Sequence, residues 1–149
     1  MKDTAINESL HQLIHAYKRR LRAGIQEQQI GLPVSHIRVL KGVFKFPLST
    51  ARSIAQRMNL DKAQVTRVLN DLVHSGLIEK TDNPDDRRSQ FLTLTTDGIS
   101  TLEKVSGLEA EVARQMTRNL STEELENFAR IASVMVANMK EHSTPDERS

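Results

Sequence analysis

Between Asp61 and Arg88 the chain carries a group of side chains that share one chemistry. Lys62, Gln64, Thr66, Arg67, Asn70 and His74 lie in DKAQVTRVLNDLVHSG, and Arg87 and Arg88 follow in NPDDRRS. All can donate hydrogen bonds, and the amides and hydroxyl also accept them, which suits base edges and phosphate oxygens. Covalent chemistry has no comparable set. The Ser, His and Asp residues come with no nucleophile elbow, glycine-rich phosphate loop or metal-ligand spacing, so no enzyme is expected. Cysteine is absent, which excludes disulfides, thiolate metal sites and thiol redox sensing. His11 and His15 share a helix face, but no third ligand is arranged around them. A solvated or interface pair is the better reading, and neither a metal nor a cofactor is expected.

Such donors act together only if one element presents them outward. Val65, Val68, Leu69 and Leu72 recur at spacings of three and four, which predicts an amphipathic helix with that stripe buried and the donors exposed. Asp61 is a suitable N-cap with Gln64 at the reciprocal position, and Gly76 is a stop. Upstream, Ser49 is expected to cap a helix over Thr50–Met58 with Ala51, Ile54, Ala55 and Met58 inward. Asn59-Leu60 is the turn, which makes the pair a helix-turn-helix. Before it, a helix is predicted over Val34–Phe44 with Ile37, Leu40, Val43 and Phe44 inward and Pro33 or Ser35 near its start. Pro47 then biases Phe46 to an extended conformation. Downstream, Leu77–Thr81 and Gln90–Thr95 alternate as strands around a charged, turn-forming loop from Asp82 to Arg88. That combination predicts a wing.

Long helices flank this unit. Ile6, Leu10, Leu13, Ile14, Tyr17, Leu21 and Ile25 mark a helix over residues 5–28, ended by Gly31 and Pro33. Its Lys18, Arg19, Arg20 and Arg22 read as a solvated face. Thr95 or Thr96 can cap a helix running through Ile99, Leu102, Val105, Leu108, Val112 and Met116 to about residue 119. Ser121 and Glu124 form a capping box for a last helix with Leu125, Phe128, Ile131, Ala132, Met135 and Met139 on one face. These stripes are most economically buried against a second copy. The expected fold is therefore mainly α with a small β-wing: one domain with a winged helix-turn-helix unit at 33–98, dimerisation helices at 5–30 and 99–141, and a frayed polar tail at 142–149.

With 149 residues, 38% hydrophobic and 27% charged, the chain has room for one core-bearing domain with an added oligomerisation element. No apolar run approaches the roughly 18 residues of a bilayer span, and MKDTAINES lacks the order of a signal peptide. A cytoplasmic protein without a membrane partner is expected. Residues 1–48 hold eight Lys and Arg against three Asp and Glu, residues 49–98 seven against seven, and residues 99–149 six against nine. The reading segment is neutral, so any binding to duplex DNA must come from where its cations point.

The chain resembles the MarR family of bacterial winged-helix regulators. Three motifs carry the likeness: LSTARSIAQRMNLDKAQVTRVLNDLVHSGLIEK from Leu48, DRR at Asp86-Arg87-Arg88, and LTTDG from Leu94. The resemblance implies a homodimer that binds a pseudo-palindromic operator in double-stranded DNA, usually as a repressor of transcription. Arg88 falls on the family's minor-groove arginine and Asp86 on the acidic residue that shapes the wing. Lys62, Gln64, Thr66 and Arg67 fall on major-groove positions, with Asn70 outward beside them, and Arg87 is assigned to phosphate. Many relatives bind small phenolic or aromatic carboxylates. Tyr17, Arg20, His36 and Phe44 are the candidate contacts for such an effector. His36 in LPVSHIRVL looks like the histidine of the branch typified by the SlyA regulators, although Ile37 stands where a tryptophan often follows. With no tryptophan and 3% aromatics, a large aromatic-lined pocket is not expected. The preferred reading of His36 is a satisfied histidine at a helix junction. The competing function is a winged helix used only for protein contact, which would show no salt-sensitive DNA binding.

Overall fold

The computed structural model describes residues 2–141. The expected frayed tail lies outside them. The elements are α1 (Lys2–Glu27), α2 (Val34–Lys45), α3 (Ala51–Met58), α4 (Lys62–His74), β1 (Ile78–Asp82), β2 (Gln90–Leu94), α5 (Thr96–Met116) and α6 (Thr122–Glu141). The chain divides into two compact units, Met1–Val112 and Ala113–Ser149. The expected fold class is the observed one: the described residues form six helices and one antiparallel two-stranded sheet.

In the first unit the apolar spacing read from the sequence becomes a packed core. Val39, Leu40 and Val43 of α2, Ile54 and Ala55 of α3, Val65, Val68, Leu69 and Leu72 of α4, and Ile78 and Leu92 of the sheet pack together. Phe44 is a correction. It was expected inward, yet it is 65% exposed, because Leu40 and Val43 already complete the buried stripe and the next residue turns away from it.

Helix ends are set by backbone geometry more than by the punctuating residues. At the end of α4, Gly76 adopts φ +76°; its N–H donates to Val73 O at 3.0 Å and that of Leu77 to Leu72 O at 3.0 Å, a complete Schellman closure. α3 closes the same way on Asn59, with Leu60 N–H reaching Ala55 O at 2.9 Å. α1 ends earlier than Gly31 predicts. Gln29 takes the left-handed conformation at φ 53° and Ile30 N–H closes onto Ile25 O at 3.1 Å. The N-cap of α3 is Thr50, not Ser49: Thr50 Oγ1 accepts from Ser53 N–H at 3.1 Å and Thr50 N–H donates to Ser53 Oγ at 2.8 Å. Ser49 instead offers its carbonyl to Leu92 N–H at 2.9 Å, which ties the turn before α3 to the wing.

The strands pair from Ile78 with Leu94 to Asp82 with Gln90, so β1 begins one residue later than expected. Thr95 then fastens the start of α5. Its N–H donates to Leu77 O at 3.0 Å, its hydroxyl donates to Gly76 O at 2.6 Å, and the same oxygen accepts from Gly98 N–H at 3.0 Å. A Cβ on Gly98 would stand 2.2 Å from Leu77 O, so only glycine lets α5 approach that turn. The LTTDG motif is this docking joint. Farther along α5, Glu109 forms an ion pair with Lys41 of α2. In the second unit, the capping box at Ser121 starts α6, with Glu124 N–H donating to Ser121 Oγ at 3.1 Å and Ser121 N–H to Glu124 Oε1 at 2.9 Å.

Candidate nucleic-acid interface

Helix α4 has 13 residues, Lys62–His74, which makes it about 20 Å long at 1.5 Å per residue. Burying Val65, Val68, Leu69 and Leu72 leaves Lys62, Gln64, Thr66, Arg67 and Asn70 all exposed. Lys62 lines the groove beside the wing, whereas Gln64 lines a separate hollow with Ser35 and Arg38. Asp61 caps the helix, accepting from Gln64 N–H at 3.3 Å. Thr66 bonds back to its own helix, its hydroxyl donating to Lys62 O at 2.9 Å, so it presents its methyl and remaining lone pair outward. Asn70 Oδ1 accepts from Lys80 Nζ at 3.2 Å.

The wing tip is shaped by acidic and amide side chains turning back on their own backbone. Asn83 Oδ1 accepts from Asp85 N–H at 3.0 Å, and Asp86 Oδ1 accepts from Arg88 N–H at 3.0 Å. Two further backbone bonds, Asp86 N–H to Asn83 O and Ser89 N–H to Asp86 O, both at 3.2 Å, complete the turns. Asp86 thus spends its carboxylate on the backbone. Arg87 and Arg88 are exposed, and among the described residues no ion pair holds either side chain.

A groove of about 510 Å³ lies between the wing, α4 and the start of α3. Arg88, Lys62, Lys80 and Arg52 line it, with Asp86. The sequence reading missed Lys80 and Arg52. Arg52 carries a usable signal, as a cation in the first turn of a helix, where the helix dipole opposes it; Lys80 falls in the inward phase of a strand, which only the pairing with β2 reveals.

The sequence model of the MarR family matches residues 30–89. The transcriptional regulator TcaR of Staphylococcus aureus is 32% identical over 120 residues, spanning 78% of this chain and 77% of TcaR. The chain belongs to the MarR family. The multiple antibiotic resistance protein MarR of Escherichia coli is 25% identical over 119 residues, covering 78% of this chain and 83% of that protein. Among solved structures, a probable transcriptional regulator from Pseudomonas aeruginosa superposes with a TM-score of 0.75 at 24% identity, over 91% of this chain and 99% of its own. A mutant of E. coli MarR complexed with operator DNA gives a TM-score of 0.70 at 23% identity, over 85% of this chain and 93% of its own. These two likenesses concern the fold.

The four residues offered as MarR-type effector contacts do not meet in one cavity. Tyr17 lines a crevice of about 460 Å³ with Ile14, Leu21, Ile37, Arg38 and Lys41. Phe44 lines a separate one, of about 420 Å³, beside Ile99 and Leu102. Arg20 sits 3.8 Å from Glu27 on its own helix. His36 bridges α2 to α4, with Nε2 2.9 Å from Asp71 Oδ2 and Nδ1 3.2 Å from Ser35 Oγ. These are the contacts of a satisfied histidine at a helix junction. Among the described residues there is no group of three His, Cys, Asp or Glu that could hold a metal ion, and no helix long and apolar enough to cross a membrane.

Proposed function

We propose that this chain is a sequence-specific transcriptional regulator of the MarR type. It binds a pseudo-palindromic operator as a homodimer in the cytoplasm, and acts as a repressor rather than an enzyme. The observation that carries the reading is the exposed row Lys62, Thr66, Arg67 and Asn70 on one capped helix, beside a wing whose arginines are left outward by the Asp86 turn. Helix α4 enters the major groove, where Lys62, Gln64, Thr66 and Arg67 read base edges. Arg88 enters the neighbouring minor groove, where the negative potential favours a guanidinium, and Arg87 contacts phosphate. Relatives named as transcriptional regulators support this reading.

Regulation enters through the crevice at Tyr17. Its apolar wall and the cations Lys18 and Arg38 suit a small aromatic carboxylate, while Lys41 is paired with Glu109 at its edge. Such a ligand releases DNA only by preferring a dimer whose reading heads are spaced wrongly for the operator.

The deciding experiment compares Arg88→Ala and Lys62→Ala with the parent in a DNA-shift assay at fixed salt. Each variant should lose about 1 to 3 kcal/mol of operator binding. Parent-like binding by both would sink the assignment of helix and wing.

A further inference from the structure

In the β1–β2 ladder Ile78 pairs with Leu94 and Lys80 with Leu92. Residues two apart on a strand, and residues directly opposite across it, share a sheet face. Lys80 therefore lies on the face where Ile78 and Leu92 are buried, the face that looks onto the helices. A lysine in that phase runs its methylenes along apolar surface until its ammonium reaches water. Here the ammonium emerges beside α4, with Nζ 3.2 Å from Oδ1 of Asn70.

An ammonium has donors only. The atom of the Asn70 amide that faces Lys80 must be the oxygen, and the NH₂ end is turned the other way. Both residues are exposed, so in water this bond contributes little. Once DNA covers the surface and displaces water, the local dielectric falls and the same bond strengthens. We propose that Lys80 is a positioning residue for base recognition: it fixes Asn70 with its amide nitrogen toward the major groove, so that Asn70 selects a purine through N7. Adenine and guanine both present N7 as an acceptor there, and neither pyrimidine offers one at that place. The inference rests on the reading of α4 as the major-groove helix.

The test is selection of bound duplexes from a random pool at fixed salt, using the full chain as parent, Lys80→Met, Lys80→Arg and Asn70→Asp. Lys80→Met keeps the apolar stem, and thermal melting checks that each variant is folded. The parent should favour a purine at one position of each half-site by roughly tenfold, a preference reduced to less than about threefold in Lys80→Met and retained in Lys80→Arg. Other positions should keep their preferences. Asn70→Asp should turn that position toward cytosine, whose N4 donates to a carboxylate. If Lys80→Met keeps the purine preference and weakens all sequences alike, with a shallower salt dependence, Lys80 is a phosphate contact and the inference is overturned. A parent that enriches no sequence would instead remove the DNA-reading assignment itself, and this inference with it.

Discussion

Asp86 and Ser49 show how differently a polar side chain can be used at the scale of one residue. Asp86 shapes the wing by accepting from Arg88 N–H at 3.0 Å, so its role depends on the Oδ1 acceptor and not on charge. Asp86→Asn keeps an acceptor at that place and should bind operator DNA close to the parent in a shift assay. Asp86→Ala removes it and should lose affinity by about 1 kcal/mol, the usual cost of losing a side-chain-to-backbone cap, with little change in melting temperature because the wing is exposed. Equal binding by both variants would show that the turn holds itself. Ser49 is the opposite case. It is 2% exposed and its hydroxyl has no partner among the described residues. A buried unpaired hydroxyl costs stability, so Ser49→Ala should leave the protein unchanged or raise its stability by about 1 kcal/mol, read as a higher urea midpoint. The donors of α4 were legible from residue type and spacing. Ser49 was misread as a cap because Thr50 beside it offers the same oxygen, and the sequence does not say which of two adjacent hydroxyls faces the helix.

At the scale of elements, apolar periodicity was enough to locate each helix of the described residues: α2 to α5 bury part of their apolar rows, whereas those of α1 and α6 are equally regular and largely exposed. Boundaries and partners were less legible. Gln29 ends α1 in a conformation that costs a residue with a Cβ, and nothing in its chemistry announces it. Lys80 was overlooked for a related reason: the phase of a strand shows only when its pairing is known. The capping box of α6 was fully legible, and its chemistry gives a pH dependence. The Ser121 backbone N–H, and then the Ser121 side chain, bond the Glu124 carboxylate and hold it below its ordinary value of 4.5. A carboxyl lowered in the folded state stabilises above its unfolded pKa, and that contribution is lost as pH falls through the folded value. The start of α6 should therefore loosen only below about pH 4.5. The Ser121 amide resonance should titrate with a midpoint under that value in the parent and show no such step in Glu124→Gln. A midpoint at or above 4.5 would mean that the box does not hold in solution.

At the scale of the whole molecule the question is what covers the terminal helices. On α6, Phe128 is 57% and Met139 74% exposed, and Ile131, Val134, Met135 and Val136 are exposed with them. On α1, Ile6, Leu10, Leu13 and Ile14 are exposed as well. Exposed apolar rows of this kind mark an interaction site, and under the proposed reading of a palindromic operator the natural occupant is a second copy. The consequence for function is quantitative. One reading head gains only its own contacts, whereas a second, tethered at fixed spacing, binds at a high effective concentration. The double variant Phe128→Glu, Met135→Glu places two carboxylates on the α6 face without touching α4 or the wing. In sedimentation equilibrium the parent should weigh twice the 16.8 kDa chain and the variant should weigh one chain. Its operator affinity should fall further than that of Lys62→Ala, by a factor on the order of 10² or more, because avidity is lost with no base contact removed. Dimeric variant protein, or monomeric protein that still binds the full operator as tightly as the parent, would place the dimer contact elsewhere or make it unnecessary for reading.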